Sequence, residues 1–220
     1  MNRLRRRLLQ HHLPLIAISG GSIALLYYTR PYRDWVSRAS FATAYPALIL
    51  LAGTLLIGPW NLLRRRRSPV SSDLRRDLGI WAGLLSVLHA AVGQFVHLRG
   101  RPWLYYFYEP TEHHHVIPIR HDLFGLSNFT GLFAVFTILM LLATSNDLSM
   151  RALKIARWKT LQRWSYAAFV LVAVHTFGYQ LGIEKQDLRF VALAALSVTI
   201  AITFQLLGLA RVRSAAVKNE

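Results

Sequence analysis

Apolar positions along the chain gather into six blocks divided by short Arg-rich stretches. The blocks run Leu13–Tyr28, Phe41–Leu63, Leu78–His97, Leu123–Thr144, Trp164–Ile183 and Phe190–Ala210. A helix of roughly 20 apolar residues crosses a hydrocarbon layer of about 30 Å. Inside that layer the backbone must satisfy its own hydrogen bonds, which favours helix throughout. The pattern predicts an all-α bundle of six transmembrane helices forming one domain over residues 1–220. The first block is the shortest. It follows Arg3, Arg5, Arg6 and Arg7, and no small-residue cleavage site closes it, so it reads as a retained helix.

Charge adds orientation. The chain carries 26 Lys and Arg against 10 Asp and Glu, a net charge of +16. In a water-soluble protein this excess would point to nucleic acid, but no nucleic-acid reading motif is present. Topology explains it instead. The N-terminus, the segment with Arg64–Arg67, Arg75 and Arg76, the segment from Arg151 to Arg163, and the tail after Ala210 hold 18 of the 26 cations. The alternate segments hold the other 8. The bias changes at every crossing, as six spans with both termini in the cytoplasm require. Arg64–Arg67 then read as topology determinants that also touch anionic lipid.

Composition excludes several chemistries. The chain has no cysteine, so disulfides, thiolate catalysis, iron–sulfur clusters and Cys-ligated haem are ruled out. No G-x-G-x-x-G or P-loop occurs, so the chain has no dinucleotide domain of its own. The longest outer loop, Leu98–Asp122, holds Trp103, Tyr105–Tyr108, His113–His115 and His121. The run Glu112–His115 resembles a metal cluster, but consecutive side chains diverge and seldom share one ion.

Two histidines lie within apolar blocks: His89 in the third and His175 in the fifth. Each sits 11 residues beyond the inner edge of its block, about 16 Å in by helix rise. Ionisable groups at membrane depth mark function. Imidazoles on two helices at one depth can approach a planar macrocycle from opposite faces, as in a bis-histidine haem site. The same placement also suits histidines that bridge helices, relay protons or line an ion path. The carboxylates Asp77, Asp122 and Asp147 lie near block ends, which argues against a proton path. His97, two helical turns beyond His89, is a candidate propionate partner. His11 and His12 read as interfacial, and Trp81, Trp158 and Trp164 as anchors.

The neighbouring residues carry a resemblance. Arg75-Arg76-Asp77-Leu78-Gly79-Ile80-Trp81 with Leu88-His89, and Trp158-Lys159-Thr160-Leu161 with Val174-His175, resemble the third and fifth helices of the ferric-reductase-like transmembrane family. Within it, the haem-binding membrane subunits of periplasmic methionine sulfoxide reductase systems are the most similar. The resemblance covers mainly Leu74–His97 and Leu123–Tyr179. It implies His89 and His175 as axial iron ligands of a b-type haem. Further family ligands fall one level nearer the inner face, where this chain has Arg75 and Gln162. Arg stays protonated and Gln ligates haem iron poorly, so one haem is expected, unless His11 or His12 substitutes for a second.

The resemblance implies electron transfer across a bacterial inner membrane by a subunit of an oxidoreductase. The donor would be quinol or a cytoplasmic flavin reductase, with FMN or FAD present only in that partner. The acceptor would be a periplasmic reductase subunit. The inner level lies about 20 Å from His89 and His175, and without a second haem there, a membrane quinol is the expected donor. The rival readings are an outer-face ferric or cupric metalloreductase, and a haem-free transporter or structural protein.

Overall fold

The computed structural model describes residues 3–64, 73–98, 100–109, 118–184 and 187–217. Helix dominates, and among the described residues the β pairing is confined to one bridge, Phe107 to Ile119. The helices are α1 (Arg3–Arg7), α2 (Leu13–Thr29), α3 (Trp35–Leu63), α4 (Asp73–Gly93), α5 (Leu123–Ala143), α6 (Asp147–Gln162), α7 (Trp164–Phe177) and α8 (Leu188–Val217). A wider π-helical turn, Leu8–His12, joins α1 to α2, and a second, Gly178–Ile183, extends α7.

Among the described residues five helical stretches are long and apolar enough to cross a membrane: Arg5–Thr29, Trp35–Leu63, Leu123–Ala143, Asp147–Ile183 and Leu188–Ser214. The expected third span, on α4, is not among them. Its polar residues, Arg75, Arg76, Asp77 and His89, dilute the apolar run. The helix also starts earlier and stops sooner than the block Leu78–His97. It ends at Gly93, where the Tyr105 hydroxyl donates to the Gly93 carbonyl (3.0 Å) and accepts from the His97 amide (2.9 Å). Tyr105 thus satisfies a carbonyl that a helix end leaves open.

Burial is concentrated on α3. Its buried positions, from Phe41 to Asn61, fall on every side of the helix, as expected of an apolar helix at the centre of a bundle. Helices α2, α4 and α8 pack around it, α5 pairs with α7, and α4 bridges the groups by its contact with α5. Small side chains set the approach: Ala52 of α3, Ala82 of α4, and Ala194 and Ala201 of α8 share one core with Leu48, Leu51 and Leu55. At the margin of this packing, half-buried Gln205 of α8 donates to the Leu55 carbonyl of α3 (2.6 Å). Outward positions such as Leu25, Phe136, Val170 and Leu206 stay exposed. In lipid that exposure carries no penalty, since acyl chains are as apolar as Leu.

The N-terminal helix is fastened differently. Only Leu15 and Ser19 of α2 are buried. The π-helical turn before it brings both His11 and His12 to Asp77 of α4, whose side chain is fully buried. His11 Nδ1 lies 2.7 Å from Oδ2, and His12 Nε2 3.5 Å from Oδ1. Arg7 pairs with both carboxylate oxygens. Trp81 Nε1 donates to His12 Nδ1 (3.1 Å), which leaves Nε2 as the donor toward Asp77. Burial pushes the Asp77 carboxyl up, but the hydrogen bonds and charges of Arg7, His11 and His12 outweigh it and hold the group below the ordinary carboxylate range.

Candidate functional site

His89 and His175 meet. Their ring centres lie 6.2 Å apart, with planes turned 74° to each other. The equal depths of the two residues in the sequence thus become proximity in space, because α4 and α7 both pack on α5.

Backbone carbonyls fix both rings. His89 Nδ1 lies 2.9 Å from the Ser40 carbonyl of α3, and His175 Nδ1 lies 2.8 Å from the Ser127 carbonyl of α5. A carbonyl only accepts, so each Nδ1 carries the proton. The lone pair of each neutral imidazole is therefore on Nε2. Among the described residues neither Nε2 has a hydrogen-bond partner. This is how metal-binding histidines are held by a second layer of contacts, with one ring nitrogen tied back and the other presented.

A close approach of α5 and α7 makes the His175 contact. A Cβ on Gly131 would stand 2.7 Å from His175 Nδ1, and one on Gly178 would stand 2.2 Å from Ser127 Oγ. Only hydrogen at these positions allows the helices so near. Ser127 and Gly131 lie one turn apart on α5, the spacing by which small residues bring membrane helices together.

Both histidines line a cavity of about 560 Å³, within the roughly 300–1,000 Å³ usual for cofactor sites. Much of its wall is apolar, with Leu48, Leu51, Ile138 and Val172. The end near Glu184 is polar. There His97 Nε2 lies 3.3 Å from Glu184 Oε1, and Tyr32 donates to Glu184 Oε2 (3.3 Å). Tyr179 donates to Asn128 Oδ1 (2.8 Å), and Gln180 Nε2 donates to the Tyr45 hydroxyl (2.6 Å). The π-helical turn after α7 widens the helix where Tyr179 and Gln180 face this end.

The residues present fit a haem. A first-row transition metal takes an imidazole nitrogen at about 2 Å, which puts the centres of two rings sharing one ion about 6 Å apart. The observed spacing is 6.2 Å. The donor set is two neutral imidazoles, a standard pair for haem iron. The slot is apolar where a macrocycle would lie and polar at one edge.

The other expected positions lie elsewhere. Arg75 reaches Gly58 of α3 and Gln162 donates to Thr144 Oγ1 (3.3 Å); neither lines the cavity. His11 and His12 are engaged by Asp77. His97 lines the cavity from the turn after α4, not from a helix end. The run Glu112–His115 lies outside the described residues, as do Arg65–Arg67.

Some of the site was missed in the sequence. Gly131, Asn128, Tyr179 and Glu184 were not singled out. The Ser127–Gly131 spacing in an apolar helix was the available signal for the first. A carboxylate flanking an apolar block was the signal for Glu184.

The chain matches no family model and no curated protein. Its class rests on the fold: it is an all-helical, multi-pass membrane protein with a paired-histidine cavity inside the bundle.

Proposed function

We propose that the protein carries electrons across a membrane through one non-covalently held b-type haem, with His89 and His175 as its axial ligands. One observation carries this reading. Two histidines on different helices are each tied back through Nδ1 to a backbone carbonyl, and their rings stand 6.2 Å apart on one cavity.

Haem, when bound, supplies a reversible ferric–ferrous couple. The chain's own residues do the rest. Ser40 and Ser127 hold the imidazoles in the ligating tautomer and orientation. Leu48, Leu51, Ile138 and Val172 exclude water from the slot. His97, at the polar end, would meet a propionate, with Glu184 competing for it, while the Tyr179 hydroxyl is already given to Asn128.

In the full reading α4 makes the sixth span and both termini face the cytoplasm of a bacterial inner membrane, as the charge alternation favours. Arg75 and Gln162 lie off the cavity, which supports a single haem and hence quinol, not a cytosolic flavoprotein, as donor. Electrons leave at the outer face to a periplasmic reductase subunit, of which a methionine sulfoxide reductase is the example the motifs favour.

The test is an absorption spectrum of the detergent-purified protein, oxidised and dithionite-reduced, with haem counted per chain. One b-type haem, lost in His89→Ala and in His175→Ala, is the expected result. Protein made with adequate haem supply that binds none would overturn the reading and leave a haem-free helical bundle.

A further inference from the structure

Helix α6 is 16 residues long, and none of them is buried. An isolated helix of that length is marginal in water, so it draws support from what lies against it. Its place in the chain says what that is. It follows the span α5 after three residues and runs into α7 through Arg163 alone. Both ends are therefore pinned at the membrane boundary. Arg76 of α4 pairs with Asp147, and Trp158 Nε1 donates to the Thr144 carbonyl (2.8 Å), which hold one side against the inner end of the bundle.

The exposed positions of the helix are basic and apolar together. Arg151, Lys154, Arg157 and Lys159 are all exposed. Leu148 and Ile155 stand 78% and 63% exposed beside them. The one carboxylate of the helix, Asp147, is the partner of Arg76. At Lys154 the backbone takes φ 60° and ψ 149°, which breaks the helix into two short pieces. Such a conformation is costly for a residue with a side chain.

We propose that α6 is a binding surface for anionic phospholipid. Leu148 and Ile155 enter the acyl boundary while the four cations take lipid phosphates, the division of labour of an interfacial helix. This does not depend on the haem reading. Each cation near a charged membrane surface contributes about fivefold in affinity.

The test titrates the full-length protein in detergent with phosphatidylglycerol and with phosphatidylcholine of the same chain length, reading bound lipid by native mass spectrometry. Phosphatidylglycerol is expected to bind at least about fivefold more tightly. The preference should vanish in R151Q/R157Q/K159Q, persist in R151K/R157K, and persist in the control R211Q/R213Q, which removes charge from the end of α8. Equal affinity of the wild type for the two lipids overturns the proposal, and that arm decides even if the glutamine variant fails to fold. An equal loss in the α6 and α8 variants also overturns it, because net charge alone would then explain the binding.

Discussion

Gly131→Ala is the sharpest test of how the site is built, because it changes neither a ligand nor a polar group. The added Cβ would stand 2.7 Å from His175 Nδ1 and 2.9 Å from Cε1, where ordinary contact begins at 3.4 Å. The ring must therefore move by about 0.7 Å, or the helices must part. The Nδ1 to Ser127 carbonyl bond, now 2.8 Å, would stretch to about 3.5 Å if the movement follows its axis, the limit of a hydrogen bond. Losing that bond costs about 1–3 kcal/mol, and the crowding a similar amount. Since the ring would no longer be held in its ligating pose, haem affinity should fall about 10–100-fold. The assay is titration of haem into haem-depleted protein, followed by the absorption of the ferric complex. Gly53→Ala is the control, since its Cβ meets nothing within 4 Å and should leave affinity unchanged. Wild-type affinity in Gly131→Ala, or the same loss in Gly53→Ala, would refute the reasoning.

Three further outcomes follow from particular contacts. Asp77→Asn leaves Arg7 without its anionic partner in a buried setting and should cost about 3–5 kcal/mol, read by thermal unfolding in detergent. Asp77 is held below its unfolded value, so its contribution is full above about pH 4 and is lost as pH falls through the folded value; the Asn variant should lack that acid-dependent component. Tyr105→Phe removes the hydroxyl that spans Gly93 and His97. It should cost about 1–3 kcal/mol and raise hydrogen exchange at the His97 amide. Gln162→His introduces a histidine where the sequence resemblance would lead one to expect a ligand, yet Gln162 donates to Thr144 and does not line the cavity. Haem per chain should stay at one, and a rise to two would show that the inner end can be remade by a single ligand.

The apolar blocks located the helices because membrane spans have the strongest signal a sequence offers. The ends were less legible. Trp35–Leu63 begins six residues before its block, since Asp34 accepts from the Ser37 amide and caps the helix before the apolar run starts. Helix α6 was hidden in what reads as a charged connection, because its support lies outside the chain's own core. The pairing of His89 with His175 was legible from their equal depth. The fastening of His11 and His12 was not. It needs a π-helical turn to bring adjacent residues to one carboxylate, and 66 residues separate His11 from Asp77. Arg75 and Gln162 were placed by counting along helices, which gives depth but not the direction a side chain takes.

The groups that aim the two histidines are peptide carbonyls, and a carbonyl is the same whatever side chain its residue carries. The aim therefore does not depend on the side-chain chemistry at positions 40 and 127, although position 127 must stay small where it lies against Gly178. An alanine scan would pass over both carbonyls without registering them. The selective pressure falls instead on Gly131, which touches nothing through a side chain and has only its smallness to keep. A mutational map of this site would thus show its strongest non-ligand signal at a residue with no chemistry of its own.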